Sequence, residues 1–326
     1  MKKVILILPF ILLIIFESCE DNFNINAPYE DIYTLNCILR NDSPVQYAII
    51  SKNVYTENGN PPAQSNIAQN IRGANIKIFY NDSVFIMRDT TIQLADSGNI
   101  VQVNCYYLEN LSIQPGNVIS IEADMPDGQI LKSKTKVPDI SYSFLPYFPQ
   151  YWPGYPGYDL VTEYVWHFSD KKVVAKNILN IPKLEIYYEK YEGGIYIKKK
   201  TSVPLSYYSY VYENMMLLYP GVELSFNNKC YTTFENVNKT MNEISGDDPN
   251  KSNYKITDVS FNVYGLDANL SRFCSAYNIY MESFTIKLRQ IDYSNIEGGK
   301  GIFGVVYKFS RPLVVNHLYV QAFGYR

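Results

Sequence analysis

Histidine is almost missing from this chain: His167 and His317 are the only two among 326 residues. Neither has a second His or a Cys at ligand spacing, and no H-E-x-x-H or G-x-S-x-G run occurs. Histidine-dependent zinc sites and catalytic triads therefore have little raw material. The five cysteines include no C-x-x-C pair, which removes the common zinc and dithiol redox motifs. Positive charge is not in excess either. A net charge of −3 lacks the basic footprint that nucleic-acid binding needs. A membrane-spanning helix takes about 20 consecutive apolar residues, and the apolar run 4–16 has only 13. No alternation of strands with helices is visible, which argues against a parallel doubly wound sheet. Together these absences lead to the expectation of a non-enzyme with no metal and no cofactor.

What is present points to β-structure outside the cytoplasm. Hydrophobic residues make up 47% and charged ones 19%, enough to fill a core and to exclude global disorder. Tyrosine is abundant, at 31 residues, and aromatic side chains favour strands and contact surfaces. The N-terminus reads Met1-Lys2-Lys3, then the apolar run, then Glu17-Ser18-Cys19. A basic start followed by such a run is a secretory signal layout. Ser18-Cys19 resembles a bacterial lipobox. That resemblance implies alkylation of the Cys19 thiol by diacylglycerol, removal of residues 1–18, and acylation of the new amino group. Two or more acyl chains anchor a protein stably, whereas one is marginal. Glu20-Asp21-Asn22 resembles the acidic signals that send some Gram-negative lipoproteins to the cell surface. Residues 19–30 then form a short polar tether. A plain signal peptide, with Cys19 incidental, is the alternative.

Short strands follow at 33–39, 45–54, 76–80, 84–87, 101–107, 118–123 and 130–137, separated by turn signals such as Asn81-Asp82-Ser83 and Pro126-Asp127-Gly128. This spacing predicts a β-sandwich over 31–138. Pro146, Pro149, Pro153 and Pro156 then break the pattern in an aromatic segment, within a linker or loop at 139–160. A second β domain is expected over 161–326, with strands at 162–168, 184–190, 194–200, 255–264, 305–309 and 317–321. One helix is expected near 269–290, because Leu270, Phe273, Cys274, Tyr277, Tyr280, Met281, Phe284 and Leu288 fall on one helical face at steps of three and four. Asn269 or Ser271 could cap it. The expected fold class is thus mainly β: two β-sandwich-like domains with one amphipathic α-helix in the C-terminal one.

The chemistry candidates are few. Gly299-Lys300-Gly301-Ile302-Phe303-Gly304 matches G-x-G-x-x-G, but a strand-like run follows it where a dinucleotide site needs a helix. A glycine-enabled turn or bulge is expected there instead. Gly246-Asp247-Asp248-Pro249-Asn250 is rich in oxygen but lacks calcium-loop spacing, so a solvated turn is expected. Cys37 and Cys105 fall in one proposed domain, Cys230 and Cys274 in the other. An oxidising compartment permits these two disulfides, with free buried thiols as the alternative. Tyr147, Tyr151, Trp152, Tyr155 and Tyr158 present flat apolar faces with polar tips, stiffened by prolines. They suit a protein or peptide partner or a sugar ring. If buried, they would pack a domain seam.

The motif "SNIEGGKGIFG" after the helix, together with "IQPGNVISIEADMPDGQ" and the lipobox, resembles a family of bacterial surface lipoproteins of uncharacterised function. The resemblance covers nearly the whole chain after the signal. It implies an immunoglobulin-like N-terminal part and a place beside a TonB-dependent outer-membrane transporter, with no catalytic residues. The expectation is a lipid-anchored binding or accessory module. A structural or adhesive envelope component is the alternative. A hydrolase would need a cleft with two facing carboxylates, one of them of raised pKa.

Overall fold

The computed structural model describes residues 32–52, 70–96, 99–144, 146–149, 161–168, 180–207, 229–281 and 293–326. The first strands are β1 (Tyr33–Arg40), β2 (Val45–Lys52), β3 (Asn75–Tyr80), β4 (Ser83–Ile86), β5 (Arg88–Asp96), β6 (Asn99–Glu109), β7 (Val118–Asp124) and β8 (Ile130–Lys136). Next come β9 (Ile140–Tyr142), β10 (Tyr147–Phe148), β11 (Val161–Phe168), β12 (Asn180–Glu192), β13 (Ile195–Val203), β14 (Ser206–Tyr207) and β15 (Lys229–Thr233). Then follow α1 (Phe234–Ser245), β16 (Tyr254–Leu266), α2 (Ala268–Met281), β17 (Lys300–Pro312), β18 (Val314–Val315) and α3 (His317–Ala322). The protein is mainly β, and its sheets pack face to face in a sandwich-like arrangement.

One eight-stranded sheet organises the molecule, in the order β13-β12-β16-β17-β1-β2-β6-β5. It is antiparallel except where β1 meets β17, with Thr34 opposite Lys300 and Arg40 opposite Val306. Strands from both expected domains are therefore neighbours in one sheet. One half of the sheet packs on the four-stranded sheet β4-β3-β7-β8. Side-chain alternation drives this: Leu35, Cys37 and Leu39 of β1, Ile76 and Ile78 of β3, and Ile119 and Ile121 of β7 all point inward. The other half packs on β14-β15-β11-β9 and α1, around Tyr164, Trp166, Leu184, Ile186, Phe261 and Phe309. β17 serves both cores, with Phe303 and Val305 in the first and Phe309 in the second.

The helices depart from expectation in three ways. The predicted helix forms as α2, lying on the outer face of the large sheet with Leu270 against Leu266 and Ile302. Its cap, however, is Asp267. One carboxylate oxygen, Oδ1, accepts from the backbone N–H of Asn269 (2.7 Å) and Leu270 (3.1 Å), while Oδ2 accepts from Val305 N–H. Asn269 is spent on Lys134 O and Tyr293, and Ser271 is buried beneath Leu266 O. Second, α1 is an additional helix. Thr233 caps it by accepting from Asn236 N–H, and Gly246 ends it at φ +54°. Third, the expected strand at 317–321 is helix α3, because Asn316 accepts from Tyr319 N–H and nucleates a turn.

The cysteine expectation is corrected as well: Cys37, Cys105, Cys230 and Cys274 are all free thiols. Cys37 lies opposite Ala48, and Ala48 opposite Tyr106. Cys105 therefore sits two strands from Cys37 and on the other face of the sheet. A bridge needs Cα atoms within about 7 Å and Cβ vectors that converge. Cys230 is in the second core, whereas Cys274 is on α2 and packs against the Leu266, Leu270 and Ile302 cluster on the outer face.

Candidate functional site

The base of the aromatic loop is the first site of interest. β10 and β18 form a two-stranded parallel pair, with Tyr147 opposite Val314 and Phe148 opposite Val315. Pro146 O accepts from Val314 N–H (2.5 Å), and Phe148 O from Asn316 N–H (2.9 Å). Alternation along β10 sends its two rings in opposite directions. Phe148 is buried and meets Tyr319 edge to face, with centroids 6.4 Å apart. Tyr319 is held in turn by Phe234, Phe323 and a hydrogen bond to Asn238. Tyr147 points out and is 52% exposed. Its neighbour Val314 is 58% exposed, and Leu318, in the first turn of α3, is 77% exposed. Three apolar side chains thus stand in solvent on a rigid, aromatically anchored base. Tyr151, Trp152, Tyr155 and Tyr158 lie outside the described residues.

The second site is ionic and occupies the outer face of the large sheet. Glu185 on β12 is the centre, its side chain only 2% exposed. Its carboxylate accepts from Lys200 Nζ (2.7 Å), Tyr187 OH (2.8 Å) and Asn262 Nδ2 (2.6 Å), with Lys308 Nζ at 3.9 Å. Asn262 is itself fixed by Ser260 and Ser310. Burial pushes the Glu185 carboxyl upward. The Lys200 and Tyr187 hydrogen bonds and the charges of Lys200 and Lys308 outweigh it, so the group lies below the ordinary glutamate range. Beside it, Lys183 and Lys308 both approach the Tyr264 ring, at 5.3 and 5.8 Å from its centroid. The carboxylate is saturated by donors and is not free to act as a base. No sequence signal singled it out, since a strand Glu alternating with Leu184 and Ile186 reads as surface.

Asp267 is the contrasting carboxylate. Burial raises its pKa, against the lowering effect of the backbone N–H groups it caps. No second carboxylate faces it among the described residues, so the paired acids a hydrolase requires are not assembled there. His167 is an exposed position on β11, and His317 opens α3 at the surface. The glycine-rich run begins β17 and precedes no helix. Gly301 has φ +114°, and a Cβ there would overlap the Leu35 carbonyl, so glycine permits the close β1–β17 approach. The acidic loop is a turn: Asp248 accepts from Asn250 N–H and Tyr254 OH. No cluster of potential metal ligands occurs among the described residues. No helix among them is long and apolar enough to cross a membrane. No protein-family model matches the chain, and no curated protein matches it.

Proposed function

We propose that the protein is a lipid-anchored binding or accessory module of the cell envelope, tethered to the outer membrane through Cys19 and working beside an outer-membrane transporter. The observation that carries this reading is the exposed apolar pair Tyr147 and Val314, side by side on β10 and β18, with Leu318 also exposed at the start of α3. Tyr147 leads directly, along the chain, into Tyr151, Trp152, Tyr155 and Tyr158. Aromatic side chains with a polar tip supply contact area at low entropic loss, which is the composition of protein-contact surfaces. Rings locked behind this pair keep it in shape before a partner arrives.

The test has two arms. Fatty-acid labelling should mark the wild type and not Cys19→Ala; equal label in both removes the anchor. Co-purification of an envelope partner should be lost in Tyr147→Ala/Leu318→Ala and in Tyr151→Ala/Trp152→Ala, with melting curves unchanged because the described residues among these are exposed. Retained co-purification in both would turn the reading to a structural or adhesive envelope component.

A further inference from the structure

We propose that the outer face of the large sheet carries a binding site for a phosphate monoester, formed by Lys183 and Lys308 at the Tyr264 ring with Lys200 beside them. The site uses no residue of the Tyr147–Val314 base and does not depend on the anchor at Cys19. Strand register builds it. Ile181 and Lys183 of β12 stand opposite Tyr264 and Asn262 of β16, and these stand opposite Lys308 and Ser310 of β17. Directly opposed residues share a face, and so do residues two apart on one strand. Lys183, Tyr264 and Lys308 therefore lie on the same face as Glu185. The next row along, Leu266 and Val306, is covered by α2, with Ile181 packed at its margin. The Tyr264–Lys308 row is thus the step at which the covered sheet face becomes open.

Surplus positive charge separates this cluster from an ordinary surface ion pair. Glu185 is its carboxylate, and Lys200, Tyr187 and Asn262 already saturate that group. One lysine neutralises it. Lys308 stands 3.9 Å from the other carboxylate oxygen as a second cation. Lys183 is a third, and among the described residues no carboxylate pairs with it; its contact is the Tyr264 ring. Asp42, whose charge reaches Lys308, is spent on a bidentate pair with Arg40. Asp258 and Glu189 lie toward the other end of β12, opposite Tyr187 and Lys255. Two positive charges are left over at the step.

Those charges are held together. Lys183 and Lys308 approach one ring, at 5.3 and 5.8 Å from its centroid, which puts the two ammonium groups within about 11 Å of each other. The Lys308 side chain is only 21% exposed, so water screens their repulsion less than it would on an open surface. An anion between them removes that repulsion and takes up ammonium donors, three of which each lysine carries. The charge also selects the ligand. A phosphate monoester carries about −1.5 to −2 near neutral pH, which matches the surplus, whereas a carboxylate or a phosphodiester brings a single charge. Lysines bind phosphoryl oxygens as point charges and need no forked geometry.

Isothermal titration of the detergent-solubilised full chain with glycerol phosphate, at an ionic strength matched with chloride, tests this. The wild type should bind saturably. Lys183→Gln and Lys308→Gln should each weaken binding about tenfold. Lys183 is exposed, so its variant should melt like the wild type. Lys198→Gln, at an exposed position opposite Glu189 and beyond the cluster, should leave binding unchanged. Dihexanoyl phosphatidic acid is the second probe and separates the sources of the phosphoryl group. Equal affinity for both probes assigns the site to a free phosphate ester, and tighter binding of the lipid assigns it to a lipid headgroup. The proposal is overturned if neither probe binds saturably or if Lys183→Gln binds as well as the wild type. A loss in Lys198→Gln as large as that in Lys183→Gln overturns it too, since general surface charge would then account for the binding.

Discussion

On one side of β17 the large sheet closes over Leu35, Ile50, Ile76, Ile78, Ile119 and Ile121; on the other it closes over Phe144, Tyr164, Trp166 and Phe261. Branched aliphatic chains interdigitate at native density without directional demands. Their tyrosines sit at the border and hand their hydroxyls outward: Tyr33 to Asp127, Tyr106 to Ile71 O, with Tyr80 accepting from Gln114 N–H. The aromatic half is directional. Tyr164 stacks on Phe261 at 4.5 Å, and Phe144 meets both rings edge-on at 5.1 and 5.3 Å. That ring packing reaches the surface at Phe148 and Tyr319, where Tyr147 emerges. The difference teaches that the aromatic half supplies a stiff base for contact, while the aliphatic half supplies sheet continuity.

The comparison can be broken first at its centre. Phe261→Ala should destabilise by about 3–5 kcal/mol, and Ile78→Val by about 1 kcal/mol. Because β17 lines both cores, denaturant unfolding of either variant should remain one transition. A biphasic curve for Phe261→Ala would show that the halves fold independently.

A smaller effect is expected at Glu185. Glu185→Gln replaces a carboxylate oxygen with a donor facing other donors, which should reduce stability by about 1–3 kcal/mol near neutral pH. The carboxyl is held below its ordinary value of 4.5. Its contribution is therefore full above that value and drains away as pH falls through the lowered one. The gap in melting temperature between wild type and Glu185→Gln should be constant at neutral pH and narrow in acid. A gap that widens in acid would mean that the Glu185 carboxyl is not held below its ordinary range.

The smallest effect is none at all. Burial pushes the Cys37 thiol up to about 12, leaving it protonated and inert. Melting temperatures with and without reductant should coincide. A drop of several degrees on reduction would reinstate a disulfide.

Legibility followed the period of each segment. Ile76, Ile78 and Tyr80 alternate cleanly, so β3 could be read directly. β5 could not: as an edge strand it opens with Arg88, Asp89, Thr90 and Thr91, and only Ile92 and Leu94 alternate after them. α1 held its signals in Thr233, Gly246 and the spacing of Val237, Met241 and Ile244, diluted by Asn and Lys. The segment 317–321 alternates Leu318 and Val320 like a strand, yet the Asn316 cap decided for helix. At the loop base, sequence singled out Tyr147. Val314 and Leu318 joined it only because a strand from far along the chain pairs there.

Composition and periodicity alone determined that this chain is built of strands, that one amphipathic helix lies on a sheet, and that histidine and thiol-metal chemistry lack their residues. Those properties are local, set by neighbours within a few positions. The shared sheet, the faces that keep Cys37 from Cys105, the donors around Glu185 and the lysines at Tyr264 were decided by tertiary structure. Each depends on which distant strands lie side by side, and Thr34 meets Lys300 through a parallel pairing that no local pattern specifies.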